Sequence, residues 1–188
     1  IHPFEGDYFV AFGEIDRFSQ RRKVVLFLGS NIGNMPVEDC HTFCLRLGEH
    51  MHPGDLLITG FDLKKDPRTI LKAYDDSDGL TREFNLNLLR RINGELGADF
   101  RLENFEHYQT YNPVSGACQS YLISQTNQAV SIAGRSISFE KHEPVFMEVS
   151  RKFSLTEVDD LAVTTGFSPV KHCLDSKGWF VNAVWMKN

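Results

Sequence analysis

KVVLFLGSNIGN, residues 23–34, is a continuous apolar run that ends in a glycine-rich turn. Apolar residues then recur at spacings of three and four, as in an amphipathic helix: Val37, Cys40, Cys44, Leu47 and Met51. A second short apolar run, residues 56–60, follows the turn at residues 52–55. Strand, helix and strand with short connections form a βαβ unit. The sequence therefore predicts an α/β domain with a parallel sheet, whose first strand is buried on both faces.

The pattern changes after residue 64. Residues 67–74 predict a short helix, and apolar spacing from Phe84 to Leu96 predicts a longer one that Gly97 ends. Alternation between residues 105 and 139 predicts antiparallel strands. A second helix-and-strand region follows, with these signals: a capping box at Ser154–Glu157 and a hairpin turn at Asp175–Gly178. An α+β lobe inserted into an α/β domain explains this order.

Composition excludes several classes of protein. The 188 residues carry a formal charge of −5, whereas nucleic-acid binders usually present a basic face. No apolar run approaches the roughly 18 residues of a membrane span, and residues 1–20 lack a signal-peptide pattern. The four cysteines are irregularly spaced and do not predict a disulfide framework. We expect a soluble, reduced, cytoplasmic protein that binds neither nucleic acid nor membrane; its oligomeric state is open.

A metal site is the first chemical hypothesis to weigh. Two cysteines and three histidines crowd one region: Cys40, His41, Cys44, His50 and His52. Zn²⁺ binds thiolate and imidazole groups. However, Cys40 and Cys44 lie on the apolar stripe of the predicted helix, where cysteine behaves as a small hydrophobic residue. The core interpretation is favoured, so we predict no metal and no cysteine nucleophile.

Two groups of residues could bind a ligand. Gly29–Asn34 follows a strand at the carboxyl edge of the predicted sheet, where ligands of open α/β folds bind, although a plain turn explains it equally well. Glu148 and Ser150 are two apart on an extended segment and so share a face. The alternative for this pair, and for the polar residues 62–76, is a solvated surface.

Seven blocks, in order along the chain, resemble one family: residues 27–34, 53–55, 62–67, 73–76, 84–85, 93–100 and 148–153. They look like the histidine-specific SAM-dependent methyltransferases, whose best-known member trimethylates histidine to hercynine in ergothioneine biosynthesis. The resemblance implies a Rossmann-like methyltransferase domain, residues 1–64 and 153–188, interrupted by a substrate-binding lobe, residues 65–152. It implies S-adenosyl-L-methionine (SAM) as the cofactor and the α-amino group of free histidine as the methyl acceptor.

The same resemblance implies roles for individual residues. Asn34 and Tyr74 match positions that hold the substrate carboxylate, and Gly29 matches the turn beside the substrate. Glu148 and Ser150 match the residues that hold the imidazole. In the cofactor site, Asp7 and Tyr8 resemble a segment that touches the adenine of SAM. No residue is assigned to acid–base catalysis.

The chain also departs from the family pattern. It begins at Ile1 and not at Met, and we expect the family's glycine-rich SAM loop, its ribose-binding acid and the first part of the lobe to lie upstream. The 188 residues alone are therefore expected to bind SAM poorly. Ser120 stands where a Met is expected, and Met147 where a Thr is expected. Two alternatives stay open: a methyltransferase-like binding module without activity, and an N-methyltransferase of another aromatic amino acid such as tryptophan.

Overall fold

The computed structural model describes residues 3–15 and 21–188. The chain divides into two compact units, here called the sheet unit (residues 1–64 and 151–188) and the lobe (residues 65–150). The helices and strands follow one another in this order: α1 Tyr8–Ile15, β1 Val24–Phe27, α2 Val37–Glu49, β2 Leu56–Asp62, α3 Pro67–Tyr74, α4 Leu80–Leu96, β3 Phe105–Tyr111, β4 Ala117–Ser124, β5 Gln128–Ile132, β6 Arg135–Phe139, β7 Pro144–Arg151, α5 Leu155–Thr164, β8 Phe167–Leu174 and β9 Phe180–Lys187.

The sheet unit is built on four strands in the order β1-β2-β9-β8. β1 and β2 are parallel, with Val24 opposite Leu56, as the βαβ pattern predicts. β9 is antiparallel to both of its neighbours, so β8 runs in the same direction as β1 and β2. The β8–β9 hairpin was also expected from the sequence. The α/β class is therefore confirmed.

The prediction that the first strand is buried on both faces is wrong. β1 is an edge strand of the described sheet, and its burial alternates along its length. Val24 is 56% and Leu26 61% exposed, whereas Val25 and Phe27 pack against the core. A run of apolar residues does not show how many faces of its strand are covered. Within the described residues, only one face of β1 is.

Aromatic residues fill the core of the sheet unit. The Trp185 ring lies 5.6 Å from Phe61 and 5.9 Å from Phe167, all fully buried. Helix α2 contributes Cys40 and Cys44 to the same core, as its apolar stripe predicts. Helix α5 begins at the predicted capping box, in which Ser154 accepts from the Glu157 N–H and the Glu157 carboxylate accepts from the Ser154 N–H.

Two short segments of the sheet unit, residues 62–64 and 151–153, run side by side; we call them the stem. Leu63 and Phe153 form a parallel bridge, and the Lys64 N–H donates to the Phe153 carbonyl at 2.9 Å. Lys152 pairs with Asp62 across the stem at 2.8 Å. The lobe leaves the sheet unit after one segment of the stem and returns at the start of the other. The contacts between the two segments therefore tie the chain before the lobe to the chain after it.

The lobe combines a three-stranded sheet, in the order β3-β4-β7, with the β5–β6 hairpin and helix α4. Its core is apolar and is formed by Leu86, Leu89, Phe100, Phe105, Leu122 and Val130. Helix α4 ends at Gly97, which adopts a left-handed conformation with φ of 61°. The Asn93 side chain pairs with both backbone groups of Phe100 at 2.8 Å, which fixes the segment that follows the helix. The α+β character expected of the lobe is confirmed.

Candidate functional site

The turn after β1 is held tightly against the stem. Ser30 adopts a left-handed conformation, and its hydroxyl accepts from the Asp62 N–H at 3.0 Å. Gly33, in the short 3₁₀ helix Asn31–Asn34, is buried, and a Cβ at this position would lie 2.7 Å from the Arg151 carbonyl oxygen. Only glycine fits at that separation. The sequence of the turn therefore fixes where its polar residues lie.

Two predicted site residues lie on the open side of this turn. Gly29 has a φ of +80°, and a Cβ there would meet only the Asn31 amide at 3.8 Å, so a ligand can approach its backbone. Asn34 ends the 3₁₀ helix with an exposed side chain that offers both a donor and an acceptor. The turn thus presents a backbone surface and an amide at the carboxyl end of β1, where open α/β folds bind ligands.

The predicted cofactor residues lie at the start of α1. Asp7 Oδ1 accepts from the Phe9 N–H at 2.9 Å, which gives the carboxylate a helix-capping role. The Tyr8 ring packs edge-on against Phe27 and Phe43, with centroids 6.2 and 6.4 Å away, yet the residue is 59% exposed. An exposed aromatic surface therefore lies beside the last residue of β1.

Within the lobe, Tyr74 is the last residue of α3 and is half-buried. The residues after it form the cap of α4. Asp76 accepts from the N–H groups of Leu80 and Thr81 at 2.8 and 2.9 Å. The hydrogen bonds with Thr81 and Leu80 lower the pKa of Asp76 to about 2. These hydrogen bonds tie Asp76, two residues beyond Tyr74, to the first turn of α4.

Glu148, on β7, belongs to a network that we call the polar cluster, formed by Asn85, Gln109, Cys118, Ser120 and Glu148. Glu148 Oε1 lies 3.4 Å from both Asn85 Nδ2 and Ser120 Oγ. Ser120 Oγ lies 2.6 Å from Gln109 Oε1, and Gln109 Nε2 donates to Cys118 Sγ at 3.0 Å. Asn85 and Ser120 are only 3% and 1% exposed. Two buried polar side chains, from α4 and β4, therefore converge on one carboxylate, and Gln109 of β3 contacts the second of them.

A cavity of about 230 Å³ opens at this carboxylate, and all the residues that line it belong to the lobe: Phe84, Asn85, Asn87, Leu88, Arg91, Met147 and Glu148. Three of these residues are apolar, and the other four supply two amides, a guanidinium and a carboxylate, so apolar walls carry a few polar groups as in a small-molecule site. Ser150 lies two residues further along β7 and is half-buried, but it is not among the lining residues. The lobe thus brings Glu148 into a cavity without the Ser150 that was predicted beside it.

Three residues near this carboxylate received no role from the sequence: Asn85, Gln109 and His107. The inner face of β3 is formed by Phe105, His107 and Gln109, and alternation along the strand could have placed the two polar residues together. His107 Nε2 is buried and has no hydrogen-bond partner among the described residues. Burial lowers the pKa of His107, while the nearby carboxylates of Asp75, Glu148 and Asp76 oppose that shift.

The part of the chain described here contains no group of three or more His, Cys, Asp or Glu side chains arranged to hold a metal ion. Cys40 and Cys44 are buried in the core. Their mutual hydrogen bond is the largest cause of both pKa shifts: it lowers the pKa of Cys40 and, together with burial, raises that of Cys44. None of the described helices is both long enough and apolar enough to cross a membrane.

Comparison with known proteins finds relatives along most of the chain. The chain is 38% identical over 150 residues to a histidine N-alpha-methyltransferase of Mycolicibacterium smegmatis, which covers 79% of this chain and 46% of the relative. It is 34% identical over 182 residues to the Mycobacterium tuberculosis protein of the same name, and this alignment covers 96% of this chain and 56% of the relative. An L-tryptophan methyltransferase of Psilocybe serbica is 30% identical over 168 residues, and this alignment covers 86% of this chain and 43% of the relative. The chain spans about half the length of the first two relatives.

A family model described as "Histidine-specific methyltransferase, SAM-dependent" matches residues 1–187. The sheet with its antiparallel β9 is the Rossmann-like arrangement that the resemblance implied. The match covers both units and includes the turn at Gly29–Asn34 and the strand that carries Glu148. The chain therefore belongs to the SAM-dependent, histidine-specific methyltransferase family.

Proposed function

We propose that the complete protein transfers a methyl group from SAM to the α-amino group of free histidine. The observation that carries this proposal is Glu148, whose carboxylate is held by the polar cluster at the wall of the lobe cavity. An anionic acceptor fits the N–H of an imidazole, and a charge-assisted hydrogen bond of this kind contributes about 1.5–3 kcal/mol. Phe84, Leu88 and Met147 supply apolar walls for the faces of the ring.

Other residues are assigned to the polar end of the substrate. The exposed amide of Asn34 can donate to a carboxylate, and the accessible backbone at Gly29 lets the amino acid come close. Within the lobe, we assign Tyr74 to the same carboxylate, and Ser150, with Glu148, to the imidazole. These groups orient the amine, because an in-line displacement requires the nucleophile to be aligned and close to the reacting carbon.

The described residues also fit SAM. Tyr8 offers an exposed aromatic face on which an adenine can stack, and Asp7 lies directly before it. When bound, SAM supplies the methyl group on its sulfonium centre. The role of the protein is to hold and orient the two reactants. The four free cysteines fit a reducing compartment, so we place the reaction in the cytoplasm.

Methyl transfer to histidine and to tryptophan, followed by mass spectrometry of the products, tests the proposal. We expect N-methylated histidine as the main product. Methylation of tryptophan in preference to histidine would instead support the activity named for the Psilocybe serbica relative. Binding of SAM and histidine without any methylated product would support the alternative of a binding module.

A further inference from the structure

The side-chain amide of Asn85 makes hydrogen bonds through its nitrogen, but among the described residues it makes none through its oxygen. Its side chain is 3% exposed, and Nδ2 donates to the Thr81 carbonyl at 3.0 Å and to Glu148 Oε1 at 3.4 Å. A carbonyl and an ionised carboxylate can only accept, so the amide nitrogen must face them. Oδ1 is then the other end of the group. It makes no hydrogen bond among the described residues, and Asn85 lines the lobe cavity.

Ser120 lies at the same 3.4 Å from Glu148 Oε1 but cannot replace Asn85 as its donor. A serine hydroxyl carries one proton. The Gln109 amide faces Ser120 with its oxygen, because Gln109 Nε2 lies 3.0 Å from Cys118 Sγ and 3.5 Å from the Thr110 carbonyl. The Ser120 proton is therefore committed to the 2.6 Å contact with Gln109. Asn85 is left as the donor that holds Glu148.

We propose that Asn85 contacts the substrate and determines its specificity: Nδ2 fixes the Glu148 carboxylate, and Oδ1 gives the cavity a second acceptor beside it. Two neighbouring acceptors favour a ring that donates an N–H and disfavour a ring that can only accept. An unpaired buried acceptor next to such a ring would lose its interaction with water and gain nothing in return. This inference rests on the proposed function and adds the reason why the site would prefer an imidazole.

The test measures the affinity of the complete protein for histidine and for thiazolylalanine, whose ring nitrogen only accepts. The wild type should prefer histidine. Asn85→Leu, which has nearly the same shape but neither donor nor acceptor, should lower histidine affinity by about 10- to 100-fold. It should also reduce the preference over thiazolylalanine. Asn85→Ala is a second variant that keeps the test valid if the leucine is poorly accommodated.

Two controls separate a direct contact from loss of structure. Asn93→Leu removes another amide with two hydrogen bonds from the same helix, away from the cavity, and should lower stability while preserving the histidine preference. Ser120→Ala should reduce histidine affinity much less than Asn85→Leu. If the wild type binds histidine and Asn85→Leu keeps both affinity and preference, the inference alone is overturned. If the wild type does not bind histidine, the proposed function fails and the inference fails with it.

Discussion

The ammonium nitrogen of Lys152 lies 2.8 Å from a carboxylate oxygen of Asp62, although the lysine side chain is only 1% exposed. Lysine is almost never buried so deeply unless it is paired. Removing the carboxylate charge by Asp62→Asn should therefore lower the free energy of unfolding by about 3 kcal/mol. Urea denaturation measures this loss.

The exposed pair Arg91–Glu95 provides the comparison, with its two side chains 60% and 62% exposed. Glu95→Gln should change the free energy of unfolding by less than about 1 kcal/mol, because water screens exposed pairs. Equal effects of Asp62→Asn and Glu95→Gln would contradict the view that the stem depends on its buried pair.

Glu148→Ala should weaken histidine binding by roughly 10- to 150-fold and leave SAM binding nearly unchanged, because it removes the partner of the imidazole. Asn34→Ala should weaken binding of histidine and of other α-amino acids alike, since its amide would hold the carboxylate common to all of them. Calorimetric titration of both variants with histidine and one other amino acid gives the comparison. A Glu148→Ala protein with unchanged histidine affinity would show that the cavity is assigned wrongly.

Gly33→Ala should destabilise the protein by about 1–3 kcal/mol, because the added carbon would lie 2.7 Å from the Arg151 carbonyl oxygen. Gly94→Ala is the matched change in a helix, where nothing lies within 4 Å of the added carbon. It should stabilise the protein by about 0.5–1 kcal/mol. Thermal unfolding of both variants checks the opposite signs, and a Gly33→Ala protein as stable as the wild type would mean that the turn can move away from Arg151.

His107 should make stability depend on pH. Burial lowers its pKa below the ordinary 6.5, despite the opposing carboxylates of Asp75, Glu148 and Asp76 and with a small further lowering by Arg82. The unfolded chain therefore takes up the proton first as the pH falls. The contribution of His107 to stability is complete above 6.5 and is lost as the pH falls through the native pKa. His107→Gln should reduce the loss of stability between about pH 7.5 and about pH 5.5, and an unchanged pH dependence would refute this origin.

Thiol reactivity tests the prediction that Cys40 and Cys44 are structural. Cys173 is exposed, whereas Cys40, Cys44 and Cys118 are buried. We expect one of the four thiols to react rapidly with a disulfide reagent in the native protein and all four to react after unfolding. Stoichiometric zinc that disappears on Cys40→Ala would overturn the interpretation of Cys40 and Cys44 as core residues.

Local patterns predicted much of the fold because their physical causes are local. The capping box at Ser154, the helix stop at Gly97 and the βαβ unit each depend on residues close together in the chain. Burial of β1 could not be predicted in this way, because it depends on which elements cover the strand. Val24 and Leu26 are as apolar as the residues of the buried strands, yet their side chains are exposed.

The sequence predicts only part of the candidate site, because the rest depends on contacts between residues that are far apart along the chain. The spacing on an extended segment and the resemblance both single out Glu148, and Glu148 lines a cavity of the lobe. Its neighbours Asn85 and Ser120 lie 63 and 28 residues away along the chain. The spacing of residues along the chain does not show that an amide on α4 and a hydroxyl on β4 lie beside a carboxylate on β7. Such a network is visible only once the lobe has folded.

The stem also has a consequence for how substrate choice could evolve. Residues 65–150 lie between the two bridged segments of the stem, so a different insert needs only to start and finish at the same two places. Because the two segments of the stem are parallel, a replacement must run back along the stem as a crossover of about a dozen or more residues, which would leave the hydrogen bonds between Lys64, Phe153 and Asp62 intact. The lobe is in this sense an exchangeable cassette. Under the proposed function, exchange of residues 65–150 between relatives would move Glu148 and the rest of the polar cluster as one block while the sheet keeps its own sequence.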